Sequence, residues 1–200
     1  FLKFAGIDYD GDDQAGVKLD AYLRWVQTVL QCYEGFILQL TIGDKGSNLL
    51  IVFGAPLAHD DDERRAAAAA HDLLSPPQQA LFCRLAAFEG PWSVSAAASV
   101  CAADIVAPED VLGHLMALAD KSLVFPAEND SELRYRFVGP IGHAARELFA
   151  RCDCYDPTRR RHCDHYLRLS EGAAAASGGP TQDRWQCILR AERDDVLAAL

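Results

Sequence analysis

Gln39-Leu40-Thr41-Ile42-Gly43-Asp44-Lys45-Gly46-Ser47-Asn48-Leu49-Leu50-Ile51-Val52-Phe53 decides how the front of this chain folds. Two apolar, β-prone runs flank a Gly-Asp-Lys-Gly-Ser segment, and glycine with aspartate between such runs is turn chemistry. Residues 36–53 therefore read as a β-hairpin. Upstream, Phe1 to Ile7 reads as a short buried strand and Asp8 to Gly16 as an acidic loop. From Val17 to about Tyr33 a helical period places Leu19, Leu23, Val26, Val29 and Leu30 on one face, and Glu34-Gly35 supplies the stop. Downstream, Gly54-Ala55-Pro56 closes the hairpin. Asp60-Asp61-Asp62-Glu63 then opens an Ala-rich helix, where acidic residues suit the positive end of the helix dipole. The element order is β-α-β-β-α.

After residue 72 the character changes. Ser75-Pro76 is a helix start, a capping hydroxyl followed by proline at the first helical position, and the helix is expected to run to about Phe88. Ser93 caps a second helix to about Cys101, and a third spans Pro108 to Ala119. Strands are expected at Ser122–Phe125 and Leu133–Val138 around Glu128-Asn129-Asp130, then a helix from Ile141 to Arg151. Three helices, a hairpin and a further helix fit a winged-helix arrangement. Residues 157–171 and 180–200 read as two more helices separated by the small-residue stretch Gly172 to Gly179. The fold class is α+β, divided as residues 1–72, 73–151 and 152–200.

Half of the residues are hydrophobic, enough for a real core, and the net charge is −10. The charge is about −6 over residues 1–74, −3 over 75–151 and −1 over 152–200. No stretch is strongly basic, which argues against nucleic acid as partner. Arg159-Arg160-Arg161 is the exception, too short to track a groove. The seven cysteines, an odd number, lie mostly in apolar or helical patterns and are expected to be free thiols in a reducing cytoplasm. No apolar run approaches the roughly 20 residues of a membrane span. The chain opens at Phe1 inside an apolar run and is read as a fragment.

Asp44 is the candidate metal ligand. A carboxylate where two strands meet offers the oxygen that Mg²⁺ takes, although the same residues also make an ordinary turn. Gln39 to Gly46, Val52-Phe53-Gly54-Ala55-Pro56 and Asp60 to Arg65 resemble the class III nucleotide cyclase domain, in the variant at the front of large bacterial multidomain regulators. The resemblance covers residues 1–70 and implies the front half of a ferredoxin-like fold. In that family two aspartates hold two metal ions for phosphoryl transfer. Asp44 matches the second aspartate, and Lys3 falls where the first belongs. An ammonium cannot ligate a metal, and Asp8 and Asp10 lie past the strand end. The family's base-reading and transition-state residues belong to later strands that are not present after residue 75. The resemblance therefore implies a non-catalytic unit, with no cofactor expected and Mg²⁺ or Mn²⁺ only if cyclase activity remains.

Residues 71–151 resemble the winged-helix segment of the same regulators, STAND-type ATPases grouped with LuxR-like proteins. The matching residues include His71 to Pro76, Gln79 to Phe82, Arg84 to Phe88, Gly90-Pro91-Trp92-Ser93, Asp120-Lys121-Ser122-Leu123-Val124 and Arg134-Tyr135-Arg136-Phe137. Arg161-His162, Gln182 with Trp185, and Ala191-Glu192 resemble the start of the tetratricopeptide-like helical repeats that follow. The chain has no G-x-x-x-x-G-K-[ST] loop, so the family's ATP cradle is missing. In this family the winged helix is expected to pack internally rather than to read DNA.

Cys152, Cys154, His162, Cys163 and His165 form a C-x-C…H-C-x-H cluster, but the spacing matches no standard zinc knuckle. The two histidines are expected on a helix with the cysteines incidental. His71 and Asp72 are expected at the surface, His114 and His143 at the surface or its boundary, and Trp92 and Trp185 as packing anchors. The leading expectation is a signalling fragment acting through a protein partner or another copy of itself, with no membrane contact. The alternatives are an adenylate cyclase completed by a partner, and a LuxR-like transcriptional regulator.

Overall fold

The computed structural model describes residues 2–43, 46–127 and 132–199. The architecture is α+β, and the chain forms two compact units, one from residues 1–75 with 120–122, the other from 76–119 with 123–200.

In the first unit, β1 (Leu2–Phe4), α1 (Ala15–Gln31), β2 (Phe36–Thr41), β3 (Ser47–Val52) and α2 (Asp62–Asp72) follow in the expected order. β3 lies between β1 and β2 and is antiparallel to both. β1 and β2 are therefore parallel, and α1 is the crossover of a split β-α-β unit. The register sets Leu49 beside both Leu2 and Leu40. These side chains meet Val26 and Leu30 of α1 and Ala69 of α2 in one core. Of the expected α1 face, only Val26 and Leu30 are fully buried. The opposite sheet face leaves Lys3, Phe36 and Leu38 exposed.

The stop after α1 has a clear geometry. Glu34 takes a left-handed conformation (φ 56°), and the Gly35 amide donates to the Leu30 carbonyl at 3.0 Å, the closing bond of a Schellman turn. A Cβ on Gly35 would stand 2.6 Å from the Phe53 ring, so any other residue must displace that ring.

The second unit contains α3 (Pro76–Leu85), β4 (Trp92–Ser93), α4 (Val94–Cys101), a 3-10 turn at Pro108–Asp110, α5 (Val111–Asp120), β5 (Phe125–Ala127), β6 (Arg134–Arg136) and α6 (Gly139–Ala150). The sheet order β4-β6-β5 beside three helices is a winged-helix arrangement. Ser93 caps α4 as expected, its Oγ accepting from the Ala96 amide at 3.1 Å. The wing strands differ from expectation. Ser122 is left-handed (φ 57°) and the Leu123 amide donates to the Leu118 carbonyl at 2.9 Å. Residues 122–123 thus terminate α5 instead of starting a strand. β5 begins at Phe125 and carries Pro126, which an edge strand tolerates. The expected turn at Glu128-Asn129-Asp130 lies outside the described residues.

α7 (Tyr155–Ala175), α8 (Gln182–Ala191) and α9 (Arg193–Ala199) complete this unit. α7 extends four residues further than expected, and the single helix expected over 180–200 breaks at Glu192. Trp92 is the packing anchor, with ring centroids 5.6 Å from Phe88 and 5.1 Å from Phe137. Among the described residues, no helix is long and apolar enough to cross a membrane.

Candidate functional site

The end of β1 and the β2–β3 turn border a cleft of about 490 Å³, lined by the Phe4–Asp10 segment with Ile42, Gly43, Gly46 and Ser47. Its side chains are committed locally. The hydroxyls of Tyr9 and Ser47 share a 2.9 Å hydrogen bond. Asp8 Oδ1 accepts from the Asp10 and Gly11 amides at 3.2 and 3.0 Å, which holds the loop. A Cβ built on Gly46 would stand 3.7 Å from Lys3 Cε, so the lysine stem runs beside this turn. Asp44 itself lies outside the described residues. Among the described residues no group of three or more His, Cys, Asp or Glu is placed to hold a metal ion. Asp8 is turned into its own loop and Lys3 brings positive charge, so these residues do not fit a two-carboxylate metal pair.

In the winged helix, α4 and α5 occupy the positions of a helix-turn-helix, with α5 where a recognition helix would enter a groove. α5 reads Val-Leu-Gly-His-Leu-Met-Ala-Leu-Ala-Asp, with no Lys or Arg. α4 has none either. Val111, Leu115 and Leu118 of α5 are buried, while Leu112 (45% exposed) and Met116 (57%) face outward. The connection between β5 and β6 carries Glu128, Asp130 and Glu132 in sequence.

Of the three consecutive arginines, two are used inside the unit. Arg159 donates to the Ala87 and Ala198 carbonyls at 3.3 and 3.1 Å. Arg161 Nε donates to the Val100 carbonyl at 2.7 Å. Arg84, which is buried, donates to the Cys101 and Ala103 carbonyls at 3.0 and 2.8 Å and pairs with Asp104 at 2.8 Å.

A buried polar network that the sequence does not reveal joins the winged helix to α7–α9. Asp195 of α9 (1% exposed) receives the Glu89 and Gly90 amides at 2.8 and 3.1 Å. Its Oδ1 also meets Nε2 of the fully buried His162 at 2.9 Å. Glu192 (4% exposed) pairs with Arg134 of β6 and accepts from the Tyr166 hydroxyl at 3.0 Å. Arg134 also donates to the Pro91 carbonyl at 2.7 Å. Burial, with Asp195 and Glu192 adding to it, pushes the Tyr166 hydroxyl far above its ordinary range, so it stays a proton donor. These contacts fasten helices together. In the sequence Arg134 reads as part of a strand and Arg161-His162 and Ala191-Glu192 as the start of repeat helices, and neither reading pairs them with one another.

The cysteine–histidine cluster divides among separate partners. Cys152 and Cys154 form a disulfide, which corrects the expectation that all cysteines are free. Only Asp153 separates the pair in sequence, and the α6–α7 joint folds their Cα atoms to 5.0 Å. His162 and His165 lie on one helix as expected, and His165 Nδ1 meets Ser99 Oγ at 2.9 Å. Burial lowers the His165 pKa, favouring the neutral ring. His71 Nδ1 lies 3.1 Å from the exposed Asp72, which also accepts the Tyr33 hydroxyl at 2.5 Å. His143 is exposed beside Glu147 at 3.3 Å.

No family model matches the chain, and no solved structure matches it. Among curated proteins, the chain is 34% identical over 131 residues to a Mycobacterium tuberculosis protein provisionally named an HTH-type transcriptional regulator. A Mycobacterium bovis protein of the same name matches equally. That match takes in 64% of this chain but only 14% of the regulator's length. A second, uncharacterized Mycobacterium tuberculosis protein is 32% identical over 114 residues, covering 54% of this chain and 28% of that protein.

Proposed function

We propose that this chain is a regulatory segment that works through protein contacts, and that its winged helix docks against protein rather than reading DNA. The regulatory part rests on the likeness to a stretch of the mycobacterial regulators. The docking part is carried by one observation, the character of α5. A recognition helix needs cations for phosphates and donors for base edges. α5 offers an exposed Leu112 and Met116 and no Lys or Arg. The acidic β5–β6 connection would repel a phosphate backbone, and Arg159 and Arg161 are already bound to carbonyls. The finer reading is a degenerate cyclase-like unit joined to the winged helix and first repeat helices of a STAND-type regulator, with another copy or a protein partner engaging the first unit.

The test is duplex DNA binding by the purified chain across a salt series. The expected result is no binding at physiological ionic strength. A logarithmic salt slope near −0.9 per phosphate contact would overturn the proposal. A second reading, adenylate cyclase activity completed by a partner, is supported by the β1-β3-β2 sheet and the Gly43 to Gly46 turn. Lys3 counts against it. Cyclic AMP formation from ATP with Mg²⁺ or Mn²⁺ that disappears in Asp44→Ala would establish it.

A further inference from the structure

We propose that Cys152 and Cys154 form a reversible thiol–disulfide exchange site at the α6–α7 joint, with a thiol/disulfide couple as its reaction partner. The other cysteines mark the contrast. Cys83 and Cys101 are buried in the winged-helix core, and burial raises their thiols to about 11 and about 12. Cys152 and Cys154 are only half-buried, so a reagent can reach them. A bridge between residues two apart closes a very small loop, where cross-linking restricts the unfolded chain little. As a staple it does little; as a group that can open and close, it occupies a sensitive place.

That place is the first turn of α7. The Cys152 amide donates to the Phe149 carbonyl at 3.0 Å, and the Tyr155 amide to the Cys152 carbonyl at 2.9 Å. The Thr158 amide donates to the Cys154 carbonyl at 3.0 Å. The Phe149 and Tyr155 rings close over the joint at 4.8 Å. One turn further on, α7 carries Arg159, Arg161 and His162, the residues bound to the winged helix and α9.

The geometry also orders the steps. The Cys154 amide donates to Cys152 Sγ at 3.1 Å, so a thiolate is stabilised on Cys152. An incoming thiolate bonds to Cys154 Sγ. The Cys152–Cys154 bond breaks, and its electron pair leaves on Cys152 Sγ. A second thiolate then attacks the reductant's sulfur in the mixed disulfide and releases Cys154 as a thiolate at the positive end of α7. Both protein sulfurs take up protons, and the reductant leaves as its disulfide. Oxidation reverses each step.

The experiment equilibrates the intact chain in reduced/oxidised glutathione mixtures, quenches with acid, labels free thiols with maleimide and digests with trypsin. Cleavage after Arg151 and Arg159 isolates both cysteines on one peptide, apart from Cys163. The expected result is a passage from the bridged, unlabelled peptide to the doubly labelled one across the series. Amide exchange at 154–158 should quicken at least several-fold on reduction. When the bridged chain is opened with limiting glutathione and quenched with acid, the trapped glutathione should sit on Cys154 rather than on Cys152, as fragmentation of the peptide would show. A peptide that stays labelled in the most oxidising mixture, or bridged in the most reducing one, overturns the exchange site. Glutathione trapped equally on the two sulfurs overturns the order of attack.

Discussion

Asp195→Ala is the most informative single change. Asp195 is the common acceptor for the Glu89 amide, the Gly90 amide and His162 Nε2, at 2.8, 3.1 and 2.9 Å. Alanine keeps the helix but leaves three donors facing a site that water does not reach. A hydrogen bond to a charged acceptor contributes about 1.5–3 kcal/mol, and each buried donor left unpaired costs about 1–3 kcal/mol. Bonds converging on one carboxylate are not additive, so the net loss is about 4 kcal/mol. With a urea slope of about 2 kcal/mol per molar, the unfolding midpoint of the second unit should fall by about 2 M. Native-state exchange of the Glu89 and Gly90 amides should lose protection in parallel. The neighbouring Asp194→Ala is the control, because Asp194 is exposed on the same helix and should shift stability by no more than about 0.5 kcal/mol. Equal midpoints for the two variants would refute the claim that this carboxylate fastens α9 to the winged helix.

Other outcomes follow from the same geometry. Ser93→Ala removes the α4 cap and should cost about 1 kcal/mol in chemical denaturation. Gly35→Ala places a methyl against Phe53 and should cost about 1–3 kcal/mol in the first unit, read by its melting curve. Tyr22 and Tyr33 are raised from 10.0 to about 12, Tyr22 by burial and Tyr33 by burial and then the Asp72 carboxylate. Their neutral forms therefore favour folding fully below pH 10, and this contribution is lost as pH rises through about 12. Tyrosinate absorbance of the native chain should show this delayed titration. Brief alkylation of the native reduced chain should modify Cys32 and Cys187 while sparing Cys83 and Cys101, as peptide mapping would show.

The sequence was most legible where local chemistry and packing agree. The Gly43 to Ser47 turn predicts the β2–β3 hairpin, and Ser93 predicts the start of α4, because both signals are made by the residue that uses them. Legibility failed where a distant partner decides. Leu123 and Val124 look like the start of a strand, yet both are buried and the Leu123 amide ends α5. Gly172 looks like a linker residue, yet α7 continues through it, and the glycine makes room for the Trp185 ring, which would lie 3.0 Å from a Cβ there. Residues 180–200 read as one helix with no sign of which face is covered, yet Glu192 and Asp195 are buried. Their partners lie 58 and 106 residues upstream, at Arg134 and Glu89. No local pattern announces such pairings. The candidate Asp44 was visible as turn chemistry, and Lys3 was visible as a departure from the expected metal pair.

The span between Glu89 and Asp195 has a consequence for synthesis. A ribosome adds roughly 5–20 residues per second, and the two are 106 residues apart. After the end of α3 leaves the ribosome, the Glu89 and Gly90 amides wait roughly 5–20 seconds for their acceptor. Throughout that interval the nascent chain holds unmet backbone donors, and Arg134, once made, waits a further 58 residues for Glu192. α9 is thus a timing element, and termination before it would release a winged helix whose amides stay unmet and which remains a substrate for proteases.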